Sequence, residues 1–195
     1  MSLNIAYESD RGCIIVAAAS FDKLLEDIIK RHINKFSVSR SLEKNLFDLS
    51  GPISNFSAKI SVCRAFGLID DLAYNDLMIL RKLRNAFAHA AEEASFLSSE
   101  VKQKVRGMHF VQHCMQETEI ARYACEEKEG DEKTVPATCL KEWEALSRGY
   151  LSYDKSMFCL AIAELEHHID YYSISGKAPG ETLSQMVKSS RAKKS

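Results

Sequence analysis

The chain has 195 residues, 46% of them hydrophobic and 27% charged, enough for about one domain with a real core. Its formal net charge of −1 leaves the whole chain without a basic footprint for a phosphate backbone. Glycine (8) and proline (3) are scarce, and neither occurs in 13–50, 68–106 or 150–175. A many-stranded β protein needs turn residues every 8–12 positions or so, so that class is excluded, as are collagen-like and Pro-rich disordered chains. The pattern predicts an all-α, single-domain helical bundle over 1–175, with a long C-terminal helix and a basic tail over 176–195.

Residues 1–10 are polar without a basic start, so no secretory leader is expected. The first helix is predicted over 11–36. Ile14, Ala18, Phe21, Leu25, Ile28 and His32 recur at spacings of three and four, and Ile15, Leu24, Ile29 and Ile33 widen the stripe. So wide an apolar face belongs in the centre of a bundle. A short helix over 41–49 ends at Ser50-Gly51-Pro52. Phe56, Ile60 and Cys63 align on a third helix over 55–66, stopped by Gly67 in a left-handed C-terminal position.

Asp70 caps a longer helix to about residue 90. Asp70 and Asp71 lie at its start, and Arg81, Lys82, Arg84 and His89 towards its end, as the helix dipole favours. Leu72, Asp76, Ile79, Leu83 and Phe87 are placed on one side, flanked by Leu80. A short helix is expected over 98–105. The 108–115 stretch fits a strand or a helix, and 126–133 reads as an exposed charged loop. Pro136 opens a last helix to about Tyr172, with Phe158, Ile162, Leu165 and Ile169 in register and a possible break at Gly149.

The longest strictly apolar run, 13–19, falls well short of the ~18 residues that a membrane helix needs. Six scattered cysteines (Cys13, Cys63, Cys114, Cys125, Cys139, Cys159) form no CxxC pair and read as reduced core thiols in a cytoplasmic protein. His109-x3-His113-Cys114, with Cys125, lacks the fixed geometry of a Cys/His finger, so no metal is expected. His167 and His168 read as surface residues, and Tyr150, Tyr153, Tyr171 and Tyr172 as helix or interface packing. No phosphate-cradling glycine loop or hydrolase nucleophile motif occurs, and no cofactor is expected.

Helix 55–66, the Gly67 turn and the helix from Asp70 superficially form a helix–turn–helix. A DNA reader would insert the start of the second helix into the major groove. Here that start carries Asp70, Asp71 and Asp76, which phosphates repel, so an ordinary αα-hairpin is expected rather than direct sequence-specific DNA binding.

The most chemically suggestive stretch is Arg84-Asn85-x3-His89, within Arg81-Lys82-Leu83-Arg84-Asn85-Ala86-Phe87-Ala88-His89. A histidine that shuttles the 2′-OH proton and a guanidinium that stabilises the phosphorane can cleave RNA without metal. Arg84 would steady the phosphate, Asn85 would position it and His89 would act as acid and base. On a regular helix a spacing of five sets Arg84 and His89 roughly 140° apart, so a second copy or an early helix end is needed to bring them together. The R-x4-H pattern resembles the signature of the HEPN helical domains, which implies a ribonuclease or its inactive derivative. The alternative is that the Arg/His end satisfies the helix C-terminus.

Three stretches taken together resemble the mannitol operon repressor family. They are Ser9-Asp10-Arg11-Gly12-Cys13-Ile14-Ile15-Val16-Ala17-Ala18-Ala19; Leu46-Phe47-Asp48 with Gly51-Pro52-Ile53-Ser54 and Phe56-Ser57-Ala58-Lys59-Ile60; and Ala65-Phe66-Gly67-Leu68-Ile69 leading into Leu80 to His89. The resemblance spans about 9–91 and fades beyond it. It implies an all-helical regulator of sugar-alcohol uptake operons with no recognisable DNA-binding domain. Such a protein would act through a protein partner and as a homodimer. That is the leading functional expectation; the ribonuclease built on Arg84, Asn85 and His89 is the alternative.

Overall fold

A helix that is apolar over most of its circumference must be covered on several sides, and the first helix meets that condition. The computed structural model describes residues 5–89, 95–126 and 152–176. Among them are seven α-helices and no strand. They are α1 (Asp10–Ile33, continued by a 3-10 turn Asn34–Phe36), α2 (Arg40–Phe47), α3 (Phe56–Ala65), α4 (Asp71–His89), α5 (Ser99–Arg106), α6 (His109–Glu126) and α7 (Tyr153–Ser175). Helix α1 packs against α3, α4 and α7, and α6 lies along α7. Its Cys13, Ile14, Ala17, Ala18, Phe21, Leu25, Ile28 and Ile29 are all buried. The ambiguous 108–115 stretch is helical, within α6. The expected loop over 126–133 lies beyond the described residues except for Glu126, which ends α6. The start of the last helix at Pro136, Gly149 and the basic tail also lie outside them.

Local chemistry explains where most helices start. The side chains of Ser9, Ser39, Asn55, Asp70 and Ser152 accept the backbone N–H groups of Gly12, Leu42, Ala58, Ala73 and Lys155, at 2.9 to 3.3 Å. Each bond satisfies an N–H with no partner inside its own helix. Gly67 closes α3 as expected, with φ +64 and the Leu68 N–H donating to the Cys63 carbonyl. Gly51 tolerates no side chain for a different reason: a Cβ there would meet the backbone oxygens of Asn45 and Leu46.

Two buried polar groups tie the helices together. Lys59 on α3 is 3% exposed and reaches Asp22 (3.1 Å) and Glu26 (2.9 Å) on α1. Burial alone would pull the Lys59 ammonium down, but hydrogen bonds to Glu26 and Asp22 outweigh it and hold the group above its ordinary value. Glu26 also accepts from Lys30 (2.7 Å), which, with Lys59, brings its carboxyl down to about 2. The second group is Asp76 on α4, 1% exposed. Its two oxygens accept the His109 N–H (2.7 Å) and the Phe110 N–H (2.9 Å), so Asp76 caps α6 from a different helix. Burial pushes the Asp76 carboxyl above its usual range, and those two N–H bonds oppose the push.

The packed face of α4 departs from the expected one. Ala73, Asp76, Leu77, Leu80, Leu83 and Phe87 are buried, while Leu72 is 39% exposed and Ile79 only half-buried. Covered by α1, α3 and α6, the helix turns small Ala73 inward and sets Leu72 at the rim.

Glu26→Gln is expected to destabilise by about 2 kcal/mol at pH 7, since it weakens a partly buried ionic network. The Glu26 carboxyl is depressed on folding, so its contribution is present above its ordinary value of 4.5 and is lost as pH falls to about 2. Urea unfolding of parent and variant should therefore converge at the acid end; a constant gap across that window would contradict the network. Asp76→Ala should cost about 3 kcal/mol, because it leaves two amides of α6 without acceptors, and Asp76→Asn about 1. Equal losses for both variants in denaturant unfolding would contradict the capping role.

Candidate functional site

The end of α4 that carries Arg84-Asn85-x3-His89 is held by the start of α1. The Arg11 guanidinium donates to the Ala88 carbonyl at 3.2 Å, so a terminal C=O of α4 is satisfied by α1. One residue earlier, Asp10 accepts from Ser95 Oγ (2.8 Å) and the Phe96 N–H (3.0 Å). Its other oxygen pairs with buried Lys155 of α7 at 3.3 Å, and Lys155 also donates to the Glu8 carbonyl. Phe96 is fully buried, with its ring centroid 6.4 Å from that of Phe87 and 5.4 Å from that of Phe158. Beside this junction, Arg106 grips Asp154 with two hydrogen bonds, at 2.6 and 3.2 Å.

The sequence-predicted site residues are placed differently. Arg84 and Asn85 are exposed on α4, and His89 is its last residue. The side chain of His89 lies outside what the structure describes. Arg81, one turn before Asn85, turns inward and donates to Ser57 on α3 at 3.0 Å. Neither described cavity is lined by these residues. The larger, about 450 Å³, lies between α1 and α2 among Lys30, Arg40, Glu43, Lys44, Phe47 and Asp48.

The acids at the start of α4 are engaged by the protein itself. Asp70 caps its own helix with one oxygen and meets His168 Nε2 at 2.7 Å with the other. Asp71 pairs with Arg64 at 2.6 Å, and Asp76 faces inward. The Asp76 carboxylate is therefore absent from the surface that a phosphate backbone would meet, contrary to the reading that set it against DNA.

His168 corrects a second expectation. It is buried at 7% exposure, edge-on to Phe110 (5.0 Å) and stacked on Tyr172 (6.3 Å, 15°), whereas His167 is exposed as expected. Its partner Asp70 lies 98 positions away in the chain, so no local spacing signals the pair. Tyr172 packs as read, while Tyr153 and Tyr171 are about half exposed and Tyr150 lies outside the described residues.

His109, His113 and Cys114 point to different environments. His109 is exposed with its ring on Phe110, and Cys114 is buried. Burial pushes the Cys114 thiol up to about 12. The Cys125 side chain is not described, and among the described residues no three His, Cys, Asp or Glu side chains converge on one point.

Comparison with known proteins places this architecture. No curated protein matches the chain. A chain of the X-ray structure of the MtlR–HPr complex from Escherichia coli has a similar fold, with a TM-score of 0.56 at 18% identity, covering 86% of this chain and 97% of that one. The family described as mannitol repressor matches residues 6–170, which reaches well past the 9–91 stretch and takes in the trans-capped α6 and most of α7. This chain belongs to the mannitol repressor family.

Proposed function

We propose that the protein is a mannitol-repressor-type regulator that works by protein–protein contact, with HPr as its partner, in the cytoplasm and as a homodimer. The observation that carries this reading is the similarity over nearly the whole length of a chain solved in a complex with HPr. Two features of the molecule support it. The acids that open α4 are engaged within the bundle, so the helix–turn–helix geometry of α3 and α4 is a packing unit rather than a groove reader. Phe36 and Phe66 are 70% and 63% exposed, with the His32 ring between them, 5.6 and 5.9 Å from theirs. A contiguous exposed aromatic surface of this kind is typical of a contact made with another protein.

The test is titration calorimetry of the purified chain with HPr from the same organism, alongside gel-shift and RNA incubations. Saturable HPr binding, no salt-dependent sequence-specific DNA shift and intact RNA are expected. Absence of HPr binding by folded protein would contradict the reading. So would RNA cleavage that is lost in His89→Ala, which would restore the ribonuclease built on Arg84, Asn85 and His89. Sedimentation of the chain alone checks the dimer, and a monomer at all concentrations would remove that part.

A further inference from the structure

Helices α1 and α7 run in the same sense and meet in successive polar rungs. The first is the ion pair of Asp10 with Lys155, and a distant one joins Arg31 to Asp170 at 3.2 Å. Between them, three residues beyond Asp10 and four beyond Lys155, Cys13 and Cys159 stand with their sulfurs 3.8 Å apart. They are 146 positions apart in the chain, and both are free thiols.

We propose that Cys13 and Cys159 form a peroxide-oxidisable dithiol that closes to a disulfide between α1 and α7. A disulfide needs a sulfur separation of about 2.05 Å, so closure requires an approach of just under ~2 Å, within reach of a rotamer change and a small helix shift.

The surroundings give the two sulfurs different parts. Cys159 lies one turn after Lys155, and its hydrogen bond with Cys13 together with the nearby ammonium holds its thiol below the ordinary range. Cys13 is held above it, first by its hydrogen bond to Cys159 and then by burial. Cys159, on the same helix as Lys155 and one turn after it, is the attacking sulfur and Cys13 the resolving one. The Cys159 thiolate attacks one oxygen of hydrogen peroxide and the O–O bond breaks, leaving a sulfenic acid and, with one proton, water. The Cys13 thiol then attacks that sulfur, the S–S bond forms as S–O breaks, and its proton leaves with the hydroxide as a second water. Two thiols and one peroxide give one disulfide and two waters, and the thiols lose two electrons.

Both cysteines are buried, at 0% and 4% exposure. They sit at the fourth residue of α1 and the seventh of α7, near helix ends, where local opening admits a small oxidant. The other described thiols serve as internal controls. Cys63 and Cys114 are also buried and are pushed up to about 12. Once closed, the bond fastens α1 to α7 one turn from the Arg11 and Asp10 contacts that hold the end of α4 and the Ser95–Phe96 segment.

The test uses the full native chain, exposed to hydrogen peroxide, alkylated without reduction and mapped by mass spectrometry. The expected product is lighter by two hydrogen atoms and carries a Cys13–Cys159 linked peptide that dithiothreitol removes, while Cys63 and Cys114 stay alkylated. Lys155→Met, checked for native circular dichroism, should slow its appearance about tenfold. If Cys13 and Cys159 remain alkylatable thiols while other cysteines oxidise, the proposal is overturned. It is equally overturned if the link forms only in denaturant. The parent map alone decides these outcomes, so the result stands even where a cysteine variant does not fold.

Discussion

The molecule depends on the burial of α1. One helix packed against three others has little circumference left for water, so nearly every inward position must be apolar and the polar contacts must fall at defined places. They fall at its two ends and near its middle. Asp10 and Arg11 bind the Ser95–Phe96 segment and the end of α4. Asp22 and Glu26 hold the buried Lys59 of α3, and Arg31 reaches Asp170 of α7. These contacts set register along a surface that apolar packing alone would leave free to slide. Leaving any one of the buried charges without its partner is far more costly than the small net gain from the pair itself.

The other helices are joined by carboxylates that serve two elements at once. Asp70 begins α4 and also holds His168 of α7, while Asp76, inside α4, begins α6. Seen along the chain, these acids look like a negatively charged helix start that repels nucleic acid. In the fold they are internal connectors. The hairpin that they open is a packing unit of the bundle.

Much of the fold was legible in the sequence because it is local. The stripe of Ile14, Phe21, Leu25 and Ile28, the caps at Asp70 and before Gly67, and the scarcity of glycine and proline all act within one or two helical turns. The partnerships were not legible, because they join residues far apart in the chain. Asp76 was counted on an apolar face without its partner amides at 109 and 110. His168 was assigned to the surface because Asp70 is 98 positions away. Burial of Lys59, flanked by apolar neighbours, had no sequence signal at all; its carboxylate partners sit more than thirty residues earlier. The Arg84–His89 spacing was visible, but exposure of Arg84 and Asn85 depends on how α4 rotates against α1 and α3, and Leu72 and Ala73 show that rotation to differ from the one read along the helix.

If α1 is the element on which the rest is assembled, the amides of its middle should open only when the whole molecule does. Native-state hydrogen exchange tests this most directly. Amides from Ala17 to Ile29 should exchange with the free energy of global unfolding, and with its full denaturant dependence, while those of α2 exchange through smaller openings. Exchange from α1 through openings smaller than those that release α6 or α7 would contradict the account.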